Sequence, residues 1–138
     1  SINTDGGSRN NPGQAAIGGV VLLGDELVFE FSQSIGIATN NVAEYSALLY
    51  SIEWVCEYLK THPSPDLSIE WKLDSQLVVE QVNKRWKIKD STIRELVTKV
   101  WTKLTDLTVP YTIRYVPRAE NKRADQLVNQ ALDNLHLK

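Results

Sequence analysis

The sequence contains no methionine, a single cysteine, only two histidines and no long hydrophobic run. Cys56 alone cannot form an internal disulfide, which favours a reducing compartment. The longest apolar run, residues 15–23, is far shorter than the roughly 20 residues that cross a bilayer, so we expect no membrane association. No signal or transit segment is visible, and we therefore expect a cytoplasmic protein. From the missing methionine we also expect that a few residues of the first strand precede Ser1.

Positive charge is not in excess either, because 15 Lys and Arg residues face 17 Asp and Glu residues and the net charge is -2. This balance argues against a generally basic nucleic-acid binder. The objection weakens where several carboxylates hold metal ions, since bound cations reverse the local field. A length of 138 residues with 42% hydrophobic content predicts a single domain over residues 1–138, and we expect it to be a monomer.

Hydrophobic periodicity divides the chain into strands and helices. Strands are predicted at residues 2–5, 15–23, 27–34, 67–73 and 109–116. Helices are predicted from Asn41 to the prolines after His62, over 75–83, from 91 or 92 to 104, and over 124–135. The order β-β-β-α-β-α-α-β-α predicts an α/β fold. Its five-stranded mixed sheet has three antiparallel strands, then two parallel ones, with helices on both faces. We assign Trp54, Trp71 and Trp101 to the core, and His62 and His136 to the surface.

Residues 5–13 read Asp-Gly-Gly-Ser-Arg-Asn-Asn-Pro-Gly and contain almost nothing that can pack into a core. Glycine, asparagine and proline in such density favour a hairpin loop between two strands. A functional interpretation is that the glycines permit close approach of a sugar-phosphate strand. This segment alone leaves both interpretations open.

Four carboxylates stand at comparable places near the ends of predicted elements: Asp5, Glu44, Asp74 and Asp125. Each has a structural explanation. Asp5 fits a turn, Glu44 completes a capping box that begins at Asn41, Asp74 fits a helix cap, and Asp125 complements a helix dipole. These roles are the commonest ones for acidic residues at such positions.

The spacing of two of these acids weakens the structural explanation. Glu44 lies one turn before Leu48, and Asp125 lies one turn before Val128, so both side chains should lean toward the sheet. Unpaired carboxylates that face a core are costly, and like charges at close range add to that cost. A divalent cation with oxygen ligands, such as Mg²⁺, would offset both effects.

Four blocks of the sequence resemble, in order, the signature segments of type 1 ribonuclease H: residues 5–13, 39–44, 73–76 and 120–125. The resemblance covers essentially the whole chain. It implies a ribonuclease H-like fold and an endonuclease that cuts the RNA strand of RNA·DNA hybrids, leaving a 5′-phosphate and a 3′-hydroxyl. It also implies that Asp5, Glu44, Asp74 and Asp125 hold two Mg²⁺ or Mn²⁺ ions.

The same resemblance implies contacts with the nucleic acid. The residues expected to line the RNA strand are Gly6, Gly7, Ser8, Asn41, Glu44 and Gln76, and those expected to contact the DNA strand are Asn11, Thr39 and Asn40. Discrimination of RNA from DNA requires sensing of the 2′-hydroxyl, which both donates and accepts hydrogen bonds. Turn and cap chemistry is the alternative explanation for the asparagines.

Two segments depart from the family pattern. Residues 84–89 form a basic cluster around Trp86, which fits either a hybrid-binding edge or a solvated face with a core tryptophan. The basic insertion that many bacterial members carry after this point is shortened or absent, so we expect weaker and more salt-sensitive binding. The loop before Asp125 lacks the histidine of well-studied members, and Arg118 is expected to handle the phosphate instead.

Other functions remain as alternatives to hybrid cleavage. A related nuclease of the same fold, such as an exonuclease or a nuclease acting on double-stranded RNA, would use the same metal chemistry. A hybrid-binding module without catalysis is a second alternative, although the four acids are all present. A Rossmann-type cofactor enzyme is disfavoured, because the opening glycines lack the G-x-G-x-x-G pattern that leads into a helix.

Overall fold

Five strands and four helices make up the part of the chain that the computed structural model describes, residues 1–135. The strands are β1 (Ile2–Arg9), β2 (Gly13–Leu23), β3 (Glu26–Ala38), β4 (Ile69–Leu73) and β5 (Tyr111–Tyr115). The helices are α1 (Asn40–Thr61), α2 (Gln76–Val82), α3 (Ser91–Leu104) and α4 (Lys122–Asn134), and a 3₁₀ turn spans Arg118–Glu120. The surface position predicted for His136 lies outside the described residues.

The strand order in the sheet is β3-β2-β1-β4-β5, so β1 is the central strand. β1 pairs antiparallel with β2, and β2 with β3, whereas β4 runs parallel to both β1 and β5. Helices cover both faces, because a Cβ atom added at Gly6 would meet α1 and one added at Gly7 would meet Val128 of α4. This arrangement confirms the predicted fold class. Within residues 1–135, no helix combines the length and hydropathy that crossing a membrane requires.

The interpretation of residues 5–13 as a loop is wrong for its first half, because β1 continues through Arg9. Gly6 pairs with Ile17 and Arg9 pairs with Gln14, so the strand keeps a regular antiparallel register with β2. The low β propensity of glycine is overridden here by pairing with β2 and by packing against α1. The turn itself is confined to residues 10–12, where Asn10 has a φ of 68°, a conformation that asparagine tolerates well.

The long helix α1 begins one residue earlier than its periodicity predicts. Thr39 is its N-cap and accepts a hydrogen bond from the backbone N–H of Val42 at 3.2 Å. The capping box predicted between Asn41 and Glu44 is therefore not the cap that this helix uses. The buried stripe that begins at Tyr45 is confirmed, and the helix ends before Pro63 as expected.

The larger core lies between the sheet and helices α1, α2 and α3, and Trp71 is fully buried in it. Trp54 and Trp101 are partly buried against the same core, which confirms the expected packing role of the three tryptophans. His62 is exposed, as expected. A smaller core joins Ala16 of β2 to the buried residues of α4.

Close contact between β1 and α1 is what places the acidic residues. A Cβ atom at Gly6 would lie 2.2 Å from both the carbonyl carbon and the carbonyl oxygen of Ala43. Only glycine permits the two backbones to approach so closely. The residue before Gly6 is Asp5 and the residue after Ala43 is Glu44, so this contact brings the two carboxylates together.

Candidate active site

Three carboxylates from three separate elements meet at one end of the central strands. One oxygen each from Asp5, Glu44 and Asp74 lies within 4.8 Å of the other two. Thr4 and Leu73 are paired in the parallel strands β1 and β4, and the two aspartates directly follow these paired residues. Glu44 reaches the same point from α1. The sheet register and the contact of β1 with α1 therefore assemble this cluster.

The structure does not support the turn and cap roles that the sequence suggests for these three acids. Asp5 lies within β1 rather than in a turn, and Glu44 does not cap α1. The cap of α2 is Ser75, whose hydroxyl accepts a hydrogen bond from the backbone N–H of Val78 at 3.3 Å. Asp74 therefore does not cap α2, and it lies beside the other two carboxylates instead.

The burial and hydrogen bonding of the cluster fit a divalent metal ion. Asp5 is 6% exposed and Glu44 is 8% exposed. The Oε2 atom of Glu44 is buried without a hydrogen-bond partner among the described residues. A buried carboxylate oxygen without a partner is costly, and oxygen donors of this kind are the ligands that hard cations such as Mg²⁺ prefer. A cation held by the cluster would coordinate the unsatisfied oxygen of Glu44 and offset the repulsion between the like charges.

Protonation of the cluster reflects the same crowding. Burial raises the pKa of Asp5 to about 7, a hydrogen bond with Glu44 opposes this, and the charges of Asp74 and Asp125 raise it further. Burial, followed by the charge of Asp5, raises the pKa of Glu44 well above its ordinary value. Without a cation, protons therefore compete for the oxygens that would hold the metal.

The pH dependence of stability follows from the raised pKa of Asp5. The pKa is about 7 in the folded chain and 3.8 in the ordinary carboxyl, so folding favours the protonated form. The resulting stabilisation is fully present below a pH of about 4 and is lost as the pH rises through about 7. We expect the Tm of the metal-free protein, relative to that of Asp5→Asn, to fall from about pH 5 to about pH 8.

Scanning calorimetry in EDTA, repeated with excess Mg²⁺, measures this dependence. Mg²⁺ should raise the Tm of the unsubstituted protein more at the higher pH, where protons no longer compete for the carboxylates. A metal-free Tm that rises relative to the variant over this range would contradict the assignment.

Asp125 and Arg118 reach the same cleft from the C-terminal part of the chain. Asp125 lies in the first turn of α4, so its complementarity to the helix dipole remains compatible with the structure. Its side chain is 34% exposed, and one of its oxygens lies 3.9 Å from Arg118 Nη2. The guanidinium side chain itself is 83% exposed. Asp125 lies outside the tight cluster of three but lines the cleft with all of them.

The predicted nucleic-acid contacts divide into two groups. Gly6, Gly7, Ser8 and Asn40 line the acidic cleft. The other five predicted contacts are not among the described residues that line it: Asn11, Thr39, Asn41, Gln76 and Trp86. Asn41 and Gln76 are exposed at the starts of α1 and α2.

Hydrogen bonds tie the turn after β1 to the start of α1. The Oδ1 atom of Asn11 accepts from the backbone N–H of Asn40 at 2.9 Å, and Asn40 Oδ1 accepts from the backbone N–H of Ser8 at 2.8 Å. The turn and cap explanation thus holds for Asn11, whose side chain accepts from the first N–H of α1, whereas the Asn40 side chain bonds to β1 instead. These bonds fix the rim of the cleft. Contact of Asn11, Thr39 and Asn40 with the DNA strand stays a prediction.

A second surface groove is lined by a basic patch, which we define as Lys84, Arg85, Trp86, Lys87, Lys89 and Arg94. Trp86 is 45% exposed, so the alternative of a solvated face with a core tryptophan does not hold. The Nζ atom of Lys84 lies 5.0 Å from the ring centroid of Trp101. Residues 83–90 alone join α2 to α3, which confirms the expected short form of this region. Exposed cations around an exposed ring suit a nucleic-acid backbone.

Sequence reasoning missed two polar residues of the acidic cleft, Arg9 and Asn129. The guanidinium of Arg9 donates to Asp133 at 2.6 Å and to Asn129 Oδ1 at 3.4 Å. Strand alternation could have indicated Arg9, because it shares a face of β1 with Asp5 and Gly7, but the predicted strand ends at residue 5, before the two glycines. No sequence signal singled out Asn129, which is an exposed residue in the middle of a helix.

Comparisons with known proteins agree with this geometry. The family described as reverse transcriptase-like matches residues 3–131. The chain is 41% identical over 131 residues to ribonuclease HI of Halobacterium salinarum, covering 94% of this chain and 62% of that protein. It is 39% identical over 134 residues to a bifunctional protein of Mycobacterium tuberculosis, covering 96% of this chain and 35% of the other. The chain thus spans less than two thirds of each of these relatives.

Two solved structures overlap nearly the whole of this chain and of their own chains. The crystal structure of LC11-RNase H1 in complex with an RNA/DNA hybrid superposes with a TM-score of 0.90 at 36% identity, covering 97% of this chain and 96% of that one. RNase H1 of Halobacterium salinarum NRC-1 gives a TM-score of 0.85 at 40% identity, with 96% of each chain covered. Fold, acidic cluster and sequence similarity agree, and the chain belongs to the type 1 ribonuclease H family.

Proposed function

We propose that the chain is an endonuclease that hydrolyses the RNA strand of RNA·DNA hybrids, leaving a 5′-phosphate and a 3′-hydroxyl. The observation that carries the proposal is the meeting of Asp5, Glu44 and Asp74, with one buried oxygen of Glu44 unsatisfied. The hybrid bound to the related LC11-RNase H1 supports the choice of substrate. We expect the chain to act as a monomer in the cytoplasm.

Two Mg²⁺ ions, replaceable by Mn²⁺, are the cofactors we propose. Asp5, Glu44 and Asp74 would hold them together with Asp125, which lines the same cleft. Bound there, the ions would activate the attacking water and stabilise the leaving oxygen of an in-line displacement. Asp5 lies in the central strand β1, and Asp74 directly follows the neighbouring strand β4. The sheet therefore holds these two ligands rigidly.

Recognition of RNA is assigned to the rim of the cleft. Gly6, Gly7 and Ser8 lie along β1 and line the cleft beside the acids, where their backbone groups can reach a 2′-hydroxyl. Asn41 and Gln76, both exposed at helix starts, are the proposed side-chain contacts on that strand. The DNA strand is assigned to the neighbouring turn and cap residues Asn11, Thr39 and Asn40.

The basic patch is proposed to hold phosphates of the hybrid outside the cleft. Trp86 is exposed in the middle of it and would lie against the nucleic acid. Because residues 83–90 are the whole connection between α2 and α3, few cations are available there. Because the salt dependence grows with the number of phosphate contacts, these few contacts should make hybrid binding weak, with a shallower dependence on salt than the sequence led us to expect.

A panel of fluorescent substrates tests the function: RNA·DNA hybrid, double-stranded RNA, double-stranded DNA and both single strands. With Mg²⁺, only the hybrid should be cut, within its RNA strand, and EDTA should stop the reaction. Preferential cutting of double-stranded RNA would favour the related nuclease, and hybrid binding without cleavage in Mg²⁺ or Mn²⁺ would favour a binding module. Exonucleolytic trimming from an end would contradict the endonuclease assignment.

Arg118→Ala should lower turnover of the hybrid more than affinity for it. The guanidinium is exposed and lies 3.9 Å from Asp125, where it can contact a phosphate or a departing product without holding the whole duplex. We expect kcat to fall by about tenfold, the scale of one charge-assisted hydrogen bond, with KM changed much less. Steady-state kinetics on the hybrid measure both, and an unchanged kcat would make Arg118 an ordinary surface residue.

A further inference from the structure

Asn121 is a fully buried polar residue at the junction of three elements, with 1% of its surface exposed. Its side-chain amide donates to the backbone carbonyl of Thr4 at 2.9 Å. Its Oδ1 atom accepts from the Asn3 side-chain amide at 3.0 Å. Both partners belong to β1, and Thr4 directly precedes Asp5. The Asn121 side chain therefore anchors the start of α4 to the strand that carries an acidic ligand.

The backbone of Asn121 connects the same point to the other side of the cleft. Its carbonyl accepts from the N–H of Asp125 at 3.1 Å, and its N–H donates to the carbonyl of Arg118 at 3.0 Å. A short run of hydrogen bonds thus leads from the backbone beside Asp5 to Asp125 and Arg118.

The bonding choice of Asn121 is unusual for its place in the helix. It is the N-cap residue of α4, where asparagine commonly accepts a bond from the first-turn N–H groups and stabilises the helix by about 1 kcal/mol. Here the side chain makes no capping bond, because both of its polar atoms are used toward β1. The connection to the strand replaces the capping interaction.

We propose that Asn121 is a positioning residue that fixes Asp125 and Arg118 relative to Asp5. This rests on the proposed function of the cleft but concerns a residue that does not touch the substrate. Asp125 lies outside the tight cluster of the other three acids, so its distance from them depends on how α4 is held. Loosening of that connection should weaken metal binding and turnover, while the sheet and the large core stay in place.

Asn121→Ala tests this inference against a matched control, Asn83→Ala. Asn83 ends α2, and its side-chain amide donates to the backbone carbonyl of Ile113 at 2.9 Å. It therefore makes the same kind of helix-to-strand bond, but neither Asn83 nor Ile113 is next to one of the four acids. Titration calorimetry with Mn²⁺, without nucleic acid, gives the metal affinity. Urea denaturation gives the free energy of unfolding, and steady-state kinetics on the hybrid give kcat and KM.

We expect Asn121→Ala to lose about tenfold or more in Mn²⁺ affinity and in kcat, the low end of the effect of residues that orient metal ligands. KM for the hybrid should change much less. Asn83→Ala should lose stability but keep kcat and Mn²⁺ affinity within about twofold, since additivity holds for separate sites. Equal losses of metal affinity in both variants, or none in Asn121→Ala, would overturn the proposal.

Two further variants keep the test decisive if Asn121→Ala folds poorly. Asn3→Ala removes only the outer bond to Asn121 and should shift Mn²⁺ affinity in the same direction by a smaller factor. Asn121→Ser restores a good capping group, so it should recover stability without recovering metal affinity. Recovery of both would overturn the proposal. If the unsubstituted chain cuts no hybrid, the proposed function fails, and the Mn²⁺ affinities still decide the role of Asn121.

Discussion

Asp5→Asn should reduce cleavage of the hybrid by a factor on the order of 10³ or more, the scale seen when one member of a cooperating catalytic set is removed. Asp5 is the only one of the three clustered acids within the central strand, and its oxygen lies within 4.8 Å of oxygens from both others. An amide there keeps the size of the side chain but removes the charge that attracts the cations.

The structure separates this effect from a loss of folding. Burial raises the pKa of Asp5, so the ionised carboxylate destabilises the metal-free protein at neutral pH. The neutral amide should therefore leave the metal-free protein as stable as the unsubstituted one, or more stable, while abolishing activity. Activity assays paired with urea denaturation measure both quantities.

Two variants complete the comparison with Asp5→Asn. Asp74→Asn should behave in the same way, because Asp74 belongs to the same cluster. Asp106→Asn is the matched control, since Asp106 is an exposed acid that follows α3 and lines a different groove. Its activity should be unchanged. Persistent cutting by Asp5→Asn and Asp74→Asn would contradict the assigned site.

Gly6→Ala should be the most destabilising single-methyl substitution in β1. The added Cβ would lie 2.2 Å from the carbonyl carbon and oxygen of Ala43 and 2.5 Å from the backbone nitrogen of Glu44. All three atoms are backbone, so no side chain can rotate away and α1 must move off the strand. We expect a loss of about 3 kcal/mol or more in the free energy of unfolding, the upper range for overpacking.

Gly7→Ala is the matched control for this substitution. It is the next residue of the same strand, and its added Cβ would meet only side-chain atoms of Asn40 and Val128 at 3.8 Å, an ordinary contact distance. Its free energy of unfolding should change by less than about 1 kcal/mol. Urea denaturation measures both variants. Similar losses in the two would show that glycine at position 6 serves the strand generally rather than the contact with α1.

The helices and most strands of this chain can be predicted from periodicity, because their patterns are local. The stripe from Tyr45 along α1 is readable in the sequence, and Trp71 alternates with polar neighbours in β4. The second half of β1 is not readable in this way. Gly6, Gly7 and Ser8 have weak strand preference, and the pairing with β2 and the packing of α1 that hold them there are tertiary.

The candidate site, too, could be predicted from the sequence only in part. Resemblance of motifs singled out Asp5, Glu44 and Asp74, and the structure brings these three together. The contact that excludes a side chain at Gly6 is with α1, which the sequence did not indicate, and the approach of a sugar-phosphate strand to Gly6 stays a prediction. Asn121 could not be found from the sequence, since its role depends on a strand that lies 117 residues earlier.

The placement of β1 at the centre of the sheet also determines when the acidic cluster can form during translation. Among the described elements, the strand that carries Asp5 is synthesised well before β4, which supplies its parallel neighbour, precedes Asp74 and follows only after the whole of α1. Parallel pairing over such a separation is slow to form. The three clustered acids therefore cannot meet until Asp74 has been translated, and Asp125 follows later.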